Sequence, residues 1–187
     1  MTNRVFIIAD THFGHKNIID FEKDARPFAT IEEHDEALVD RWNSAVNKND
    51  TVWHLGDVLF GEASFKTLGR LNGVKKLVMG NHDHYPMAKY LEHFSQVFGA
   101  VKYRDCIMTH VPVHPNQFGR FQTNIHGHLH SLVVLESPSY DYAMRPVLED
   151  IPDIRYICVS AEQINLTPIL FDTLLETRLQ VSAQVER

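Results

Sequence analysis

Five times along this chain a segment that reads as a strand, four of them short apolar runs, leads into residues that can ligate a metal. Asp10-Thr11-His12 follows Val5 to Ala9, Gly56-Asp57 follows Thr51 to Leu55, and Gly80-Asn81-His82-Asp83 follows Lys76 to Met79. His110 follows Cys106 to Thr109, and Gly127-His128-Leu129-His130 follows Asn124 to His126. Short continuous apolar runs bounded by turn signals read as buried strands. Ligands of open α/β sheets bind off the carboxyl ends of strands, so the pattern asks for a layered fold whose strand ends converge.

The segments between these runs predict the other layers. Leu38, Trp42, Ala45 and Val46 make an apolar stripe at helical spacing behind Thr30 and Glu33, which fit a capping box, so a helix is expected over Ile31 to Val46. A short helix through Phe65, Leu68 and Leu71 should stop at Asn72-Gly73, and another is expected over Met87 to Phe94. Later, Ala100 to Tyr103 and Cys106 to Thr109 read as a hairpin, and Leu132 to Leu135 and Tyr156 to Ser160 as further strands. Thr167-Pro168 would cap a last helix over about 168–180, with Leu170, Leu174, Leu175 and Leu179 on one face. Strands alternating with helices, then hairpins, predict an α/β fold: layered mixed β-sheets forming a sandwich core flanked by α-helices. The 187 residues suit one domain, 1–187, with a motif-bearing core of about 5–170.

Composition narrows the function. A net charge of −6 argues against broad nucleic-acid binding through a basic face. It leaves room for a nucleotide-like substrate, because bound divalent cations reverse the sign of an acidic site. The two cysteines, Cys106 and Cys158, sit in short apolar runs and read as buried thiols rather than a disulfide framework. No stretch approaches the ~18 apolar residues of a membrane span, and the N-terminal run is too short for a signal peptide. A cytoplasmic protein with no membrane partner is expected. The twelve histidines are the unusual feature, since imidazole is the commonest metal ligand and the acid of choice near neutral pH.

Taken singly, the segments say little. Asp-x-His is as often a surface or capping pair, and Gly-Asp is by default a turn. The paired histidines at 128 and 130 would share one face of a strand. Together and in this order, they resemble the calcineurin-like metallophosphoesterase family over about Val5 to Ile169. The motifs D-x-H, G-D, G-N-H-(D/E), H and G-H-x-H stand without substitution, and Asp10–His15 and Trp53–Asp57 are similar to small bacterial and phage members. The resemblance implies a calcineurin-like phosphoesterase fold and two divalent metal ions, manganese first, with iron, nickel, cobalt or zinc as alternatives. One metal would take Asp10, His12 and His130, the second Asn81, His110 and His128, and Asp57 would bridge them. That mixed N/O set without thiolate suits these metals. His82 would be the general acid or charge stabiliser, and Asp83 its orienter. The implied activity is phosphoester hydrolysis by a metal-bridging hydroxide, on a small nucleotide-like diester. The alternatives are a phosphomonoesterase, including a protein phosphatase, and a non-catalytic scaffold on the same fold.

Other residues are assigned less sharply. His15 is a candidate substrate contact, His126 either packs or supports the metal ligands, and His54 reads as a buried, hydrogen-bonded histidine. His84 and His114 are candidates for the site mouth, and His34 and His93 for solvated helix positions. Arg26, Arg120 and Arg145 are the loop arginines that could meet a substrate phosphate. Cys158 to Glu162 departs from the family, which often carries Asn-Val there, and receives no role.

Overall fold

The computed structural model describes residues 3–136, 139–140, 146–147 and 151–177, with backbone alone for 139–140 and 146–147. Its strands are β1 Val5–Ile8, β2 Thr51–His54, β3 Val74–Val78, β4 Gln96–Phe98, β5 Val101–Tyr103, β6 Cys106–Met108, β7 Thr123–His126, β8 Ser139–Tyr140, β9 Pro146–Val147, β10 Tyr156–Cys158 and β11 Ile169–Leu170. The helices are α1 Ile18–Phe21, α2 Ile31–Ala45, α3 Phe65–Leu68 and α4 Met87–Leu91, with a further helical stretch at 171–177.

Two mixed sheets face each other. One runs β11-β1-β2-β3-β4, the other β10-β7-β6-β5. β1 to β4 are parallel, and β11 closes that sheet antiparallel to β1. Alternation along β1 sets the layers, since successive strand residues point to opposite faces. Phe6 and Ile8 pack with Leu38 and Trp42 of α2. Ile7 and Ala9 pack with Met108 and Ile125 of the second sheet. The expected sandwich flanked by helices is therefore present. No helix among the described residues is long and apolar enough to cross a membrane.

α2 begins where its cap chemistry dictates. Thr30 Oγ1 accepts the Glu33 backbone N–H at 3.2 Å, and Glu33 Oε2 accepts that of Ala29 at 3.1 Å, one residue off the usual reciprocal pair.

Three expectations are corrected. The last helix starts at 171 rather than 168, because Ile169 and Leu170 pair with Ile7 and Phe6 of β1; a strand edge outcompetes the Thr-Pro start signal. Leu179 and Arg145 lie outside the described residues. Leu132 to Leu135 forms no strand: only Leu135 makes an isolated bridge, to Pro152, and Leu132, Val133 and Leu135 are exposed. His34 is not solvated but wholly buried.

Candidate metal centre

The sheets deliver their strand ends to one place. Asp10 lies two residues beyond β1, Asp57 three beyond β2, Asn81 three beyond β3, His110 two beyond β6, and His128 two beyond β7. The side chains then turn inward on strained backbone. Asp10, His12, Asp57, His128 and His130 all have positive φ, at 56°, 50°, 54°, 71° and 51°. Such conformations cost about 1–3 kcal/mol each at non-glycine residues and persist where the surroundings over-determine them. Strain concentrated on five of the seven expected ligands marks a functional site. It also corrects the reading of the paired histidines: His128 and His130 converge through a turn beyond β7, not by alternation within a strand.

Two glycines permit the close approach. A Cβ on Gly80 would lie 2.2 Å from Asp57 Oδ1, and one on Gly127 would lie 2.4 Å from Asp10 Oδ2.

The donor atoms cluster. Ligand atoms of Asp10, His12 and His130 fall within 4.8 Å of one another, as do those of Asp10, Asp57 and His110. Asp57 Oδ2 lies 3.4 Å from His110 Nε2, 3.8 Å from His12 Nε2 and 4.0 Å from His82 Nε2. His110 Nε2 is 2.9 Å from Asn81 Oδ1, and the His110 and His128 rings are 5.1 Å apart. The seven expected ligands thus form one connected cluster, linked through Asp10, Asp57 and His110. Asp10, His12, Asp57 and His110 form a buried floor, while Asn81 and His82 are exposed.

Hydrogen bonds leave particular atoms available. Asp10 Oδ2 accepts from the His128 backbone N–H (2.9 Å) and Ser160 Oγ (2.7 Å), whereas Asp10 Oδ1 is buried without a partner. Both ring nitrogens of His12 are buried without partners too. His110 Nδ1 donates to Leu55 O at 2.8 Å, which turns its Nε2 toward Asn81 and Asp57, and His130 Nδ1 donates to Glu162 Oε1 at 3.0 Å. Metal-bound histidines are characteristically held this way by their other nitrogen. A buried carboxylate oxygen facing unpartnered imidazole is costly in a dry interior, and a cation among them satisfies both. The residues fit a metal.

The charges respond accordingly. Burial acts to raise the Asp10 carboxyl, but the nearby imidazoles of His12, His110 and His130 hold it well below the usual range. Burial acts to lower the His110 imidazole, and Asp57 and Asp10 together override that and raise it. Burial lowers His12, despite Asp10.

The remaining candidates divide. Asp83 does not orient His82; its carboxylate accepts the backbone N–H groups of Asp57 (2.8 Å), Val58 (3.0 Å) and Gly80 (2.8 Å), so it fixes the turn that carries Asp57. His15 stacks on Phe60 at 4.0 Å, beside His12 at 5.3 Å, and burial pushes it down to about 4. Phe60 also approaches His82, at 5.0 Å. His126 is wholly buried against Tyr156, its Nδ1 donating to Gly127 O, so it packs rather than ligates. His54 is buried and bonded to Thr11 Oγ1 at 2.9 Å, as expected. Arg26 is wholly buried behind the site and does not meet a substrate phosphate. Arg120 is exposed, with its carbonyl receiving Lys102 Nζ. Ser160, Glu162, His34 and Phe60 are site neighbours that the sequence did not reveal. The first two fall in the Cys158–Glu162 segment, whose departure from the family pattern was the one available signal.

The fold and site define a two-sheet α/β protein with a buried carboxylate–imidazole cluster that could hold metal. No family model matches the chain. Its sequence is 30% identical over 179 residues to the uncharacterized protein MJ1445 of Methanocaldococcus jannaschii, covering 92% of this chain and 90% of that one. It is 31% identical over 171 residues to the gene 66 protein of Mycobacterium phage L5, covering 72% and 81%. The chain belongs to the family that contains these two proteins. In structure it resembles the protein of unknown function AQ665 from Aquifex aeolicus, with a TM-score of 0.65 at 20% identity, over 94% of this chain and all of that one.

Proposed function

We propose that this protein is a metal-dependent phosphoesterase of the calcineurin-like kind, acting on a small, nucleotide-like phosphodiester. The observation that carries the reading is the convergence of Asp10, His12, Asp57 and His110, with Asp10 Oδ1 and His12 Nε2 buried and unpartnered. The full ordered motif set supports it. Asp10, His12 and His130 would hold one divalent ion, Asn81, His110 and His128 the other, and Asp57 would serve both. Bound divalent ions supply Lewis-acid activation of water and neutralise the phosphoryl oxygens.

The protein's own residues contribute the rest. Asp57 Oδ1 accepts the His82 backbone N–H at 2.8 Å, which fixes where that ring begins. The His82 side chain is 47% exposed, 4.0 Å from Asp57 Oδ2. It stands on the open side of the cluster, where a leaving oxygen would take a proton. The stacked rings of His15 and Phe60, with Phe21 69% exposed at 6.1 Å from His15, offer a planar base a surface beside the phosphate. That favours a nucleotide-like ester over a phosphorylated protein.

Metal-stripped protein supplied with Mn²⁺ should hydrolyse bis(p-nitrophenyl) phosphate faster than p-nitrophenyl phosphate. Preference for the monoester would replace diester with monoester chemistry. A folded protein that turns over neither ester with Mn²⁺, Ni²⁺, Co²⁺ or Zn²⁺ would point to a scaffold instead.

A further inference from the structure

Arg26 carries a charge into the interior, and three of the four groups it touches belong to or adjoin the metal-type cluster. Nε donates to Glu162 Oε1 at 2.7 Å, and Nη2 to Asp10 O at 2.5 Å. Nη1 donates to Thr11 O at 3.2 Å and lies 2.7 Å from His34 Nε2. A guanidinium has donors only, so His34 Nε2 is the acceptor and the ring proton sits on Nδ1. That N–H donates to Asp35 Oδ1 at 2.9 Å, and Asp35 Oδ2 accepts the Gly14 backbone N–H at 2.9 Å. On its other side, Glu162 Oε1 also accepts from His130 Nδ1 at 3.0 Å. A continuous chain of bonds, Asp35–His34–Arg26–Glu162–His130, thus joins α2 to a candidate ligand and returns to the loop just past His12.

A buried ion pair is weak evidence for stability, because desolvating both charges offsets their attraction. What this one does is geometric. The carbonyls of Asp10 and Thr11 belong to the peptides linking Asp10 to His12, and both flanking ligands have positive φ. Holding those two carbonyls opposes relaxation of the turn. Holding Glu162 fixes the His130 ring with Nδ1 protonated and Nε2 toward the cluster.

We propose that Arg26 is a positioning residue: through two backbone carbonyls and through Glu162 it sets Asp10, His12 and His130 in ligating geometry before any ion arrives. This rests on the metal-centre reading above, and the test separates the two. Metal-free wild type, Arg26→Lys and Glu162→Gln would be titrated with Mn²⁺ by calorimetry, and the His130 tautomer read from imidazole ¹⁵N shifts. Lysine keeps the charge but lacks the fork that reaches four partners; glutamine keeps the shape but loses the charge. Both variants should show Mn²⁺ affinity reduced about 10- to 100-fold, the range for losing a group that holds a ligand, with the His130 Nδ1 proton no longer fixed. Folded variants with wild-type affinity and an unchanged His130 tautomer overturn the proposal. So does a lowered unfolding midpoint with both readouts unchanged, which is a structural role alone. Should Arg26→Lys not fold, Glu162→Gln decides by the same readouts. Should wild type bind no Mn²⁺, the metal-centre reading fails, and the ¹⁵N comparison in metal-free protein still decides whether the chain of bonds sets His130.

Discussion

Asparagine at position 57 is expected to remove Mn²⁺-dependent hydrolysis while leaving a folded chain. Asp57 Oδ2 faces three imidazoles, of His110, His12 and His82, within 4.0 Å. An amide nitrogen there would present N–H donors where a cation needs a lone pair and a negative charge. Asp57 Oδ1 takes the His82 N–H, a role an amide oxygen preserves, and Asp83 still accepts the Asp57 backbone N–H, so the turn survives. The loss in kcat should be at least ~10³-fold, about 4 kcal/mol of transition-state stabilisation. His82→Ala makes the useful contrast. Its side chain is nearly half exposed and lies off the floor, so Mn²⁺ affinity should hold while kcat falls by roughly 10²- to 10⁴-fold. Paired calorimetry and kinetics on the two variants check this. An Asp57→Asn protein keeping a tenth of wild-type turnover would sink the bridging role.

What the sequence disclosed, and what it hid, follow from the range of the interactions. The cluster was legible because each expected ligand sits within four residues of a strand end, and apolar run plus polar terminus is a local signal. His12 and Asp57 needed no knowledge of the fold. Arg26, His34 and Glu162 were misread or missed for the opposite reason. Arg26 meets Glu162 across 136 positions of sequence, and nothing beside either residue reports it. By composition Arg26 looked like a loop arginine and His34 like a solvated helix position. Asp83 was recognised, but its partners were mistaken, because a residue beside His82 was assumed to serve His82; it binds backbone N–H groups of Asp57 and Val58 instead. β1, β2 and β3 were legible as short apolar runs that end in polar residues, while β4 and β11 were not. Ile169 and Leu170 suit a helix face or a strand edge equally, and only the open edge of β1 decides.

Acid should unfold this protein early, and two buried histidines that are not themselves expected ligands contribute to it. His54 Nδ1 accepts the Gly56 backbone N–H at 3.2 Å, so its proton is on Nε2, donated to Thr11 Oγ1, which in turn donates to Val58 O. His126 donates Nδ1–H to Gly127 O and buries Nε2 without a partner. Both rings are therefore neutral when folded. Burial pushes His54 down to about 3 and His126 to about 4, from an ordinary 6.5. A histidine depressed in the folded state stabilises above its unfolded pKa, and that contribution is lost as pH falls toward the folded value. The window is thus pH 6.5 down to about 4. Within it each ring contributes about 1 kcal/mol per pH unit. The raised His110 and His130 act above 6.5, where they lose stability as pH rises. Asp10 and Asp57, both lowered, act below 3.8. Asp83, raised by burial, opposes the histidines in part of the window. His12, His15, His34 and His128, also lowered by burial, act in the same direction, so the loss between pH 6 and 4 is a sizeable part of the stability of an ordinary domain. Urea midpoints of metal-free protein at pH 7, 6, 5 and 4.5 should fall progressively. His54→Gln and His126→Gln should each flatten the slope, and the double variant should flatten it further, whatever they do to the midpoint at pH 7. A midpoint constant from pH 7 to 4.5 would mean that both rings take up protons without unfolding.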